Sequence, residues 1–450
     1  MRKQVDMLHG NILQSLLVFA IPLFISNLFQ QLYNTLDTMI VGNCLGDVSL
    51  AAIGACAAIF ELLVGFAQGV GNGMSIVTAR CFGAGDETKI KQSVAGSLVI
   101  GLIVSLFIMC LGRLGLYPLL RLLHTPDEII EESYSYIIVI ALGIGVMFAY
   151  NLLAGLLRAI GNSVMPLMFL IVSSVVNVVL DLVFIQQFQM GIRGAAVATV
   201  AAQCVSVILC VIYLLKKCKI LLPKKEHFRA GYAMYRELAG QGLSMGCMLA
   251  IVSIGTIILQ FAINELGYLI IAGHTAARRL NSFCTMPAAT ISIAASTFVS
   301  QNRGADQRER IRKAVRYANL ICVAWAALIS VVLFFSASWM VRVLSGSTEP
   351  VVIENGARYL QVNAPFYSVL GILLVLRFSL QGLGKKVVPL ISSLIEFAGK
   401  IIFVILLIPK LQYFGVILCE PVIWCFMCLQ LAVAFYTDSY VSRGKKSMAL

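Results

Sequence analysis

A carboxylate inside an apolar segment is the first feature of this sequence that could do chemistry. Residues 165–184 read MPLMFLIVSSVVNVVLDLVF, in which Ser173, Asn177 and Asp181 recur at four-residue spacing. On a helix this spacing places the three side chains on one face. An ionised aspartate in contact with lipid is costly. We therefore predict that this face meets protein, water or an ion.

A second acid lies near the end of the first apolar segment, in the stretch NLFQQLYNTLDTMIVG. Gln30, Asn34 and Asp37 make this stretch too polar to face lipid, so we expect it to line an internal cavity. The alternative is that Asp37 is a loop residue at the outer membrane interface.

Two aspartates at similar depth would suit ion coupling, because a carboxylate pair in a poorly hydrated cavity takes up a proton or binds a cation. The helical rise of about 1.5 Å per residue places four groups in the outer half of the membrane, at depths compatible with one site: Asp37, Asn177, Asp181 and Thr199. Asn177 and Thr199 would add oxygen ligands for a hard cation such as Na+. H+ and Na+ both stay open as the coupling ion.

The elements that position these residues must cross a membrane. Of the 450 residues 60% are hydrophobic and only 12% are charged, and the mean hydropathy is +0.91. These values are typical of an integral membrane protein and exclude an ordinary soluble domain. Segments long enough to cross as helices, about 20 residues each, are predicted at 12–35, 50–75, 93–116, 133–157, 165–186, 191–215, 238–264, 275–300, 314–337, 357–380, 387–408 and 414–436.

Basic residues are unevenly distributed between the connections of these twelve spans. The sequence has 34 Lys and Arg against 21 Asp and Glu. Most of the basic residues fall on the termini and on the even-numbered connections, which the positive-inside rule assigns to the cytoplasm. Both termini are therefore predicted to be cytoplasmic. The net charge of +13 then reports topology, and no nucleic-acid partner is needed to explain it.

The chain repeats itself. The stretch LLRAIGNSVMPL at 156–167 returns as SLQGLGKKVVPL at 379–390, and FGAGDETKIKQSV at 82–94 resembles NRGADQRERIRKAV at 302–315. We predict an all-α protein of two homologous six-span lobes. Their limits are expected at 1–215 and 238–450, and a basic cytoplasmic linker at 216–237 should lie on the inner lipid headgroups.

The second half repeats the order of spans of the first half, but different residues occupy its polar positions. Glu396 and Lys400 occupy the places of Ser173 and Asn177, and Val404 replaces Asp181. Their four-residue spacing lets Glu396 and Lys400 neutralise one another. The counterpart of Asp37 falls near Ile258. Two further cationic groups inside predicted spans of this half are Arg278 and Arg377.

Several other patterns argue against alternative chemistries. Cys425 and Cys428 form a CxxC without a second pair, and the histidines are dispersed at His9, His124, His227 and His274, so no metal or redox site is expected. No HExxH or Walker A motif occurs, which disfavours a zinc protease or an ATP-driven pump. The glycines at 69, 71 and 73 predict close helix packing.

These features together resemble the multidrug and toxic compound extrusion (MATE) family of the multidrug/oligosaccharidyl-lipid/polysaccharide exporter superfamily. The resemblance covers essentially the whole chain and rests on the two six-span halves and on four motifs: LDTMIVG at the end of span 1, QNRGA after span 8, and the LRAIGN and LQGLGK turns. It implies two six-helix lobes arranged as a V around a central cavity that opens alternately to each side.

The resemblance also implies roles for particular residues. Asp37, Asn177, Asp181 and Thr199 match a cation or proton site in the first lobe of the archaeal and bacterial branch. Tyr136 and Asn151 would be polar groups of the cavity, and Tyr136 by itself could equally be an interface anchor. Pro22 matches a proline at which span 1 is proposed to bend. The acids that a related branch carries in spans 7 and 10 are missing here.

The implied function is a secondary antiporter in the plasma membrane of a bacterial-type cell. It would export amphipathic, often cationic compounds in exchange for H+ or Na+, without a cofactor and as a monomer. A lipid-linked precursor flippase of the same superfamily is the alternative, because Arg278, Arg279 and Arg377 would suit a cationic cavity.

Overall fold

The computed structural model describes residues 4–123 and 125–442, and these residues form helices joined by short turns, with no β-strand among them. His124 and the terminal basic residues Arg2, Lys3, Arg443, Lys445 and Lys446, which contribute to the predicted topology, lie outside the described residues.

The first half contains seven α-helices. They are α1 (Ile12–Leu45), α2 (Asp47–Gly83), α3 (Glu87–Leu122), α4 (Asp127–Leu142), α5 (Ile144–Ala159), α6 (Val164–Leu182) and α7 (Ile192–Lys217), and a π-helical turn at Val183–Gln187 extends α6. The predicted linker holds two 3-10 turns, Lys219–Leu221 and Lys225–Arg229.

The second half follows the same order. Its helices are α8 (Tyr232–Asn264), α9 (Tyr268–Gly304), α10 (Arg308–Ser345), α11 (Pro350–Asn363), α12 (Tyr367–Gly382), α13 (Val387–Ile402), α14 (Ile408–Leu411), α15 (Tyr413–Thr437) and α16 (Ser439–Ser442). A π-helical turn at Phe403–Leu407 follows α13, and a 3-10 turn at Ala364–Phe366 joins α11 to α12.

The number of spans agrees with the sequence. Eleven helical segments of the described chain are long and apolar enough to cross a membrane. The twelfth predicted span, 133–157, corresponds to α4 and α5, which are bent by 46° at Gly143 and together pass the same test. The chain is therefore an all-α polytopic membrane protein.

The repeat is visible in the backbone of two turns. Gly161, before α6, has a φ of +85°, and Gly384, before α13, has a φ of +89°. The amide of Gly161 bonds to the carbonyl of Arg158, and the amide of Gly384 bonds to that of Gln381. A left-handed residue in this position favours glycine. The same local sequence thus forms the same turn in both halves.

The chain divides into two compact units whose limits fall inside helices. The first unit contains Ile21–Ala250 together with the segment that ends at Asp6, and the second contains Met7–Ala20 together with the chain from Ile251 onward. These limits differ from the predicted lobe boundaries at 215 and 238, because the first part of α8 packs with the first unit and the first part of α1 with the second.

Small residues attach the first part of α8 to the first unit. A Cβ added at Gly73 would lie 2.5 Å from the carbonyl oxygen of Gln241, and one added at Gly69 would lie 2.7 Å from the Cα of Gly246. The backbones of α2 and α8 are therefore in direct contact, as the glycine run predicted. Close approach of this kind is a common basis of helix association in membranes.

Hydrogen bonds attach the first part of α1 and the segment before it to the second unit. The guanidinium of Arg310 donates to the carbonyl oxygens of Met7 at 3.0 Å and Gly10 at 2.9 Å. The side-chain amide of Asn302 also donates to Met7, at 3.0 Å. A charged donor that bonds to two carbonyls fixes the path of the chain before α1.

The contact between α2 and α8 predicts a difference between two glycines of one helix. Gly73→Val should destabilise the protein by about 1–3 kcal/mol, because its methyl groups would overlap the α8 backbone. Gly65→Val should have little effect, because nothing lies within 4 Å of an added Cβ there. Thermal unfolding of both variants in detergent tests this, and equal midpoints would contradict the packing described.

Candidate functional site

The polar stripe of α6 faces the interior of the first unit. Ser173, Asn177 and Asp181 are all buried, with Asp181 completely inaccessible. The opposite face carries exposed apolar side chains, among them Val175 and Val179. The helix is amphipathic: its polar side packs against protein, and its valine side is exposed. This arrangement keeps the aspartate out of contact with lipid, where a charge is costly.

A small cavity lies against this stripe. Its volume is about 10 Å³, which is about the space that one water molecule or one small dehydrated cation needs. Helices α1, α6 and α7 supply its lining, which consists of Tyr33, Ser173, Ser174, Asn177, Thr199, Ala202 and Gln203. Two of the four predicted coupling residues, Asn177 and Thr199, therefore border one space.

The other two predicted coupling residues, Asp37 and Asp181, are brought together by α1 and α6. Asp37 is partly buried, and its carboxyl group interacts directly with that of Asp181. Tyr136, buried on α4, is close enough to both carboxylates to interact with them electrostatically. The first unit thus gathers the predicted acids and Tyr136 in one region, and their roles there stay a prediction.

Several buried oxygens in this region have no protein partner. Neither carboxylate oxygen of Asp181, nor Oδ1 of Asp37, nor the side-chain oxygen and nitrogen of Asn177, forms a hydrogen bond with the described residues. A buried polar atom without a partner costs about 1–3 kcal/mol, and a charged one costs more. A proton shared between the carboxyl groups, or a cation with oxygen ligands, would remove this cost. These side-chain oxygens therefore suit either H+ or Na+ as the coupling ion.

Other predicted cavity residues are less tied to this region. Asn34 is exposed, and Asn151 is partly buried and donates to the carbonyl of Met147 at 2.8 Å. Gln30 lies within hydrogen-bonding reach of the Tyr33 hydroxyl. Helix α1 continues through Pro22, whose carbonyl accepts a hydrogen bond from the Ser26 hydroxyl at 2.8 Å. Bending at Pro22 stays a prediction.

Tyr33 and Gln203 belong to the region but were missed by sequence reasoning. The Tyr33 hydroxyl lies within hydrogen-bonding reach of Gln203. Each residue stands one helical turn from a predicted site residue, since Tyr33 precedes Asp37 and Gln203 follows Thr199 by four positions. That spacing was a usable signal, because residues four apart share a helix face.

The corresponding region of the second unit contains ion pairs. Nζ of Lys400 lies 3.0 Å from Oε1 of Glu396, as their spacing predicted, and 3.3 Å from the Thr256 hydroxyl. The guanidinium of Arg377 donates to the Ser393 hydroxyl and lies 3.9 Å from Oε2 of Glu396. All three charged side chains are buried.

Glu420 on α15 is a further buried acid that sequence reasoning missed. Its Oε1 accepts from Nη1 of Arg278 at 2.6 Å and its Oε2 accepts from the Tyr359 hydroxyl at 2.9 Å. The repeat contained the signal: Tyr359 lies 223 positions after Tyr136.

The start of α15 supplies the second part of that signal. The cap residues Gly191 and Gln412 both have positive φ, +60° and +53°. Aligning them places Glu420 over Thr199. Glu420 therefore occupies the position in the second unit that Thr199 occupies in the first.

Residues 4–123 and 125–442 contain no cluster of three or more His, Cys, Asp or Glu side chains that could hold a metal ion. All thirteen cysteines, including the Cys425 and Cys428 pair, are free thiols.

Comparison with known proteins gives the same picture. The MatE family model matches residues 22–183 and 245–406, two segments offset by 223 positions, which confirms the internal repeat. The probable multidrug resistance protein YpnP of Bacillus subtilis (strain 168) is 27% identical over 401 residues, covering 88% of each chain. YoeA of the same strain, also a probable multidrug resistance protein, is 26% identical over 414 residues, covering 90% of this chain and 89% of YoeA.

The solved structures agree on the fold. A crystal structure of MATE in the bent conformation matches with a TM-score of 0.87 at 22% identity, over 100% of each chain. Because the family model covers well over half of the sequence, the chain belongs to the MatE family, the family of membrane transporters that its spans, its repeat and its LRAIGN and LQGLGK turns resemble.

Proposed function

We infer that this chain is a secondary antiporter that exports amphipathic, often cationic compounds in exchange for H+ or Na+. The observation that carries this inference is the contact between the carboxyl groups of Asp37 and Asp181 beside a small polar cavity. The printed names of YpnP and YoeA, both probable multidrug resistance proteins, support export of varied compounds.

The carboxylate pair explains how an ion gradient could drive transport. Two like charges in a region of low dielectric constant repel one another, and a bound proton or cation removes that repulsion. Ion binding therefore changes the free energy of any arrangement in which Asp37 and Asp181 are close. A transporter that alternates between two arrangements needs such a difference in ion affinity between them.

The same proposal specifies the membrane in which the protein resides, the orientation of the protein in that membrane and its oligomeric state. The protein would reside as a monomer in a bacterial plasma membrane, with both termini and the linker at 216–237 in the cytoplasm. The distribution of Lys and Arg supports this orientation. Exposed basic side chains of the linker, such as Lys224 and Lys225, suit contact with anionic headgroups. The proposed activity is transport and not catalysis.

The flippase alternative is weaker. It depended on cationic groups in the second half that could attract a diphosphate. Arg278 is paired with Glu420, and Lys400 and Arg377 share Glu396. With Arg278 neutralised by Glu420 and one of the two charges of Lys400 and Arg377 offset by Glu396, these three groups keep one net positive charge, which is less than the strongly cationic cavity that such a substrate would need.

The carboxylate pair predicts the effect of removing one charge. Asp181→Asn should reduce ion-gradient-driven ethidium export from proteoliposomes at least about tenfold, equivalent to about 1.4 kcal/mol of coupling free energy. The control Asp127→Asn, at an exposed position at the start of α4, should export like wild type. Unchanged export by Asp181→Asn would move the coupling site away from α6.

The lining of the cavity predicts how H+ and Na+ can be distinguished. Thr199→Val removes an oxygen ligand but no titratable group. If Na+ couples transport, this variant should raise the Na+ concentration for half-maximal export by about tenfold or more, the cost of one lost ligand contact. If H+ couples transport, the response of export to an imposed pH gradient should stay as in wild type. A loss of both responses would contradict the proposed role of the cavity.

A further inference from the structure

A buried ion pair of the second unit lies at positions that the repeat relates to the predicted ion site of the first. Nη1 of Arg278, on α9, donates to Oε1 of Glu420, on α15, at 2.6 Å. The Tyr359 hydroxyl donates to Oε2 of Glu420 at 2.9 Å. In the repeat, Glu420 stands at the position of Thr199. Tyr359 likewise stands at the position of Tyr136. The second unit thus adds an arginine beside two positions that both units share.

The first unit has no arginine at the matching position. The glycines before α2 and α9 both have positive φ, +84° at Gly46 and +97° at Gly267. Aligning these glycines places Arg278 over Ala57, and the 223-residue offset places it over Ala55. A small uncharged residue stands there in either alignment. The carboxylate pair of the first unit must therefore obtain its proton or cation from solution.

The ion pair satisfies the carboxylate of Glu420 completely. Both of its oxygens accept a hydrogen bond, and the side chain is only 10% exposed. Besides Arg278 and Tyr359, the titratable groups that interact electrostatically with this carboxylate are His274, Tyr367, Lys400 and Cys419. Lys400 has a carboxylate partner of its own at 3.0 Å. A buried carboxylate that loses its ion-pair partner must take up a proton or bind another cation. Arg278 therefore supplies the charge that a bound ion would otherwise supply.

Close packing of α9 against α11 holds the arginine in place. A Cβ added at Gly273 would lie 2.5 Å from the carbonyl oxygen of Val352, so the two helix backbones are in contact. The next residue, His274, is buried, and its ring meets that of Tyr359 edge to face at 5.1 Å. Its Nδ1 lies 3.2 Å from the Tyr413 hydroxyl. The guanidinium, one helical turn further along α9, is thus fixed beside its partner by the packing of its own helix.

We propose that Arg278 is a tethered counterion, which takes in the second unit the role that the coupling ion has in the first. Ion coupling is thereby confined to the carboxylate pair of Asp37 and Asp181. Glu420 is a latent cation site, which binds an ion only when the arginine is removed. This inference rests on the proposed export function and specifies which unit supplies its ion dependence.

The test removes the tethered charge and follows thermal unfolding in detergent. Arg278→Met should lower the unfolding midpoint by about 5 °C or more at about pH 8, because it leaves a buried carboxylate unpaired. Acidification to about pH 5, or Na+ in place of choline, should raise the midpoint more in this variant than in wild type. The reason is that a proton or cation bound only by the folded state stabilises that state. The control Arg279→Met, at the exposed next residue, should respond like wild type.

Two further variants establish whether the effect depends on Glu420. Arg278→Lys keeps a cation and should retain the wild-type response. The double variant Arg278→Met/Glu420→Gln removes both charges, so the additional response to H+ or Na+ should disappear. If Arg278→Met fails to fold, the double variant decides the matter. Recovery of folded protein supports the proposal, whereas failure of the double variant, with Glu420→Gln folded, contradicts it.

The outcomes separate this inference from the function on which it rests. A folded Arg278→Met variant whose midpoint responds to pH and Na+ as wild type does would overturn the tethered counterion. Ethidium export by the double variant should still respond to the ion gradient, and loss of that response in folded protein would show that the pair itself takes part in coupling. If wild type shows no gradient-driven ethidium export, the proposed function fails, and the unfolding measurements still test the latent site because they need no transport.

Discussion

The free-energy cost of charge in a membrane interior is the constraint on which the rest of this structure depends. Each buried ionised group must be compensated by an opposite charge, by hydrogen bonds or by a bound ion. The second unit compensates most of its charge internally, through the Arg278–Glu420 and Lys400–Glu396 pairs. The first unit leaves Asp37 and Asp181 facing each other with buried oxygens that have no protein partner among the described residues. Ion dependence is therefore expected in the first unit.

The repeat shows how one backbone frame can serve two chemistries. Both halves form the same glycine turn at Gly161 and Gly384, and both end the following span in a π-helical turn. π-helical turns within α-helices are frequent at functional sites. Equivalent positions of this common frame carry different residues, such as Asn177 and Lys400, or Thr199 and Glu420. As a result the first unit contains an acidic pair and the second contains ion pairs. The polarity of the two units thus diverged while their helices kept the same order.

Membrane helices have little hydrophobic driving force to associate, so close backbone contact and buried polar contacts must hold each unit together. The glycine contacts between α2 and α8 are of the first kind, and the bonds from Arg310 to the chain before α1 are of the second. These contacts also explain why the limits of the compact units fall within α1 and α8. A single long helix can therefore contribute its first part to one unit and its remaining part to the other, as α1 and α8 do.

The sequence alone was enough to predict the membrane spans and part of the buried polar structure. Apolar length predicted the spans, and four-residue spacing predicted the polar face of α6 and the Glu396–Lys400 pair, because both depend only on residues near in sequence. Tertiary structure decided that Tyr33 and Gln203 join the region of Asp181, that Glu420 binds Arg278, and that the first part of α8 belongs to the first unit. These features depend on which helices become neighbours, and periodicity within a single helix carries no information about its neighbours.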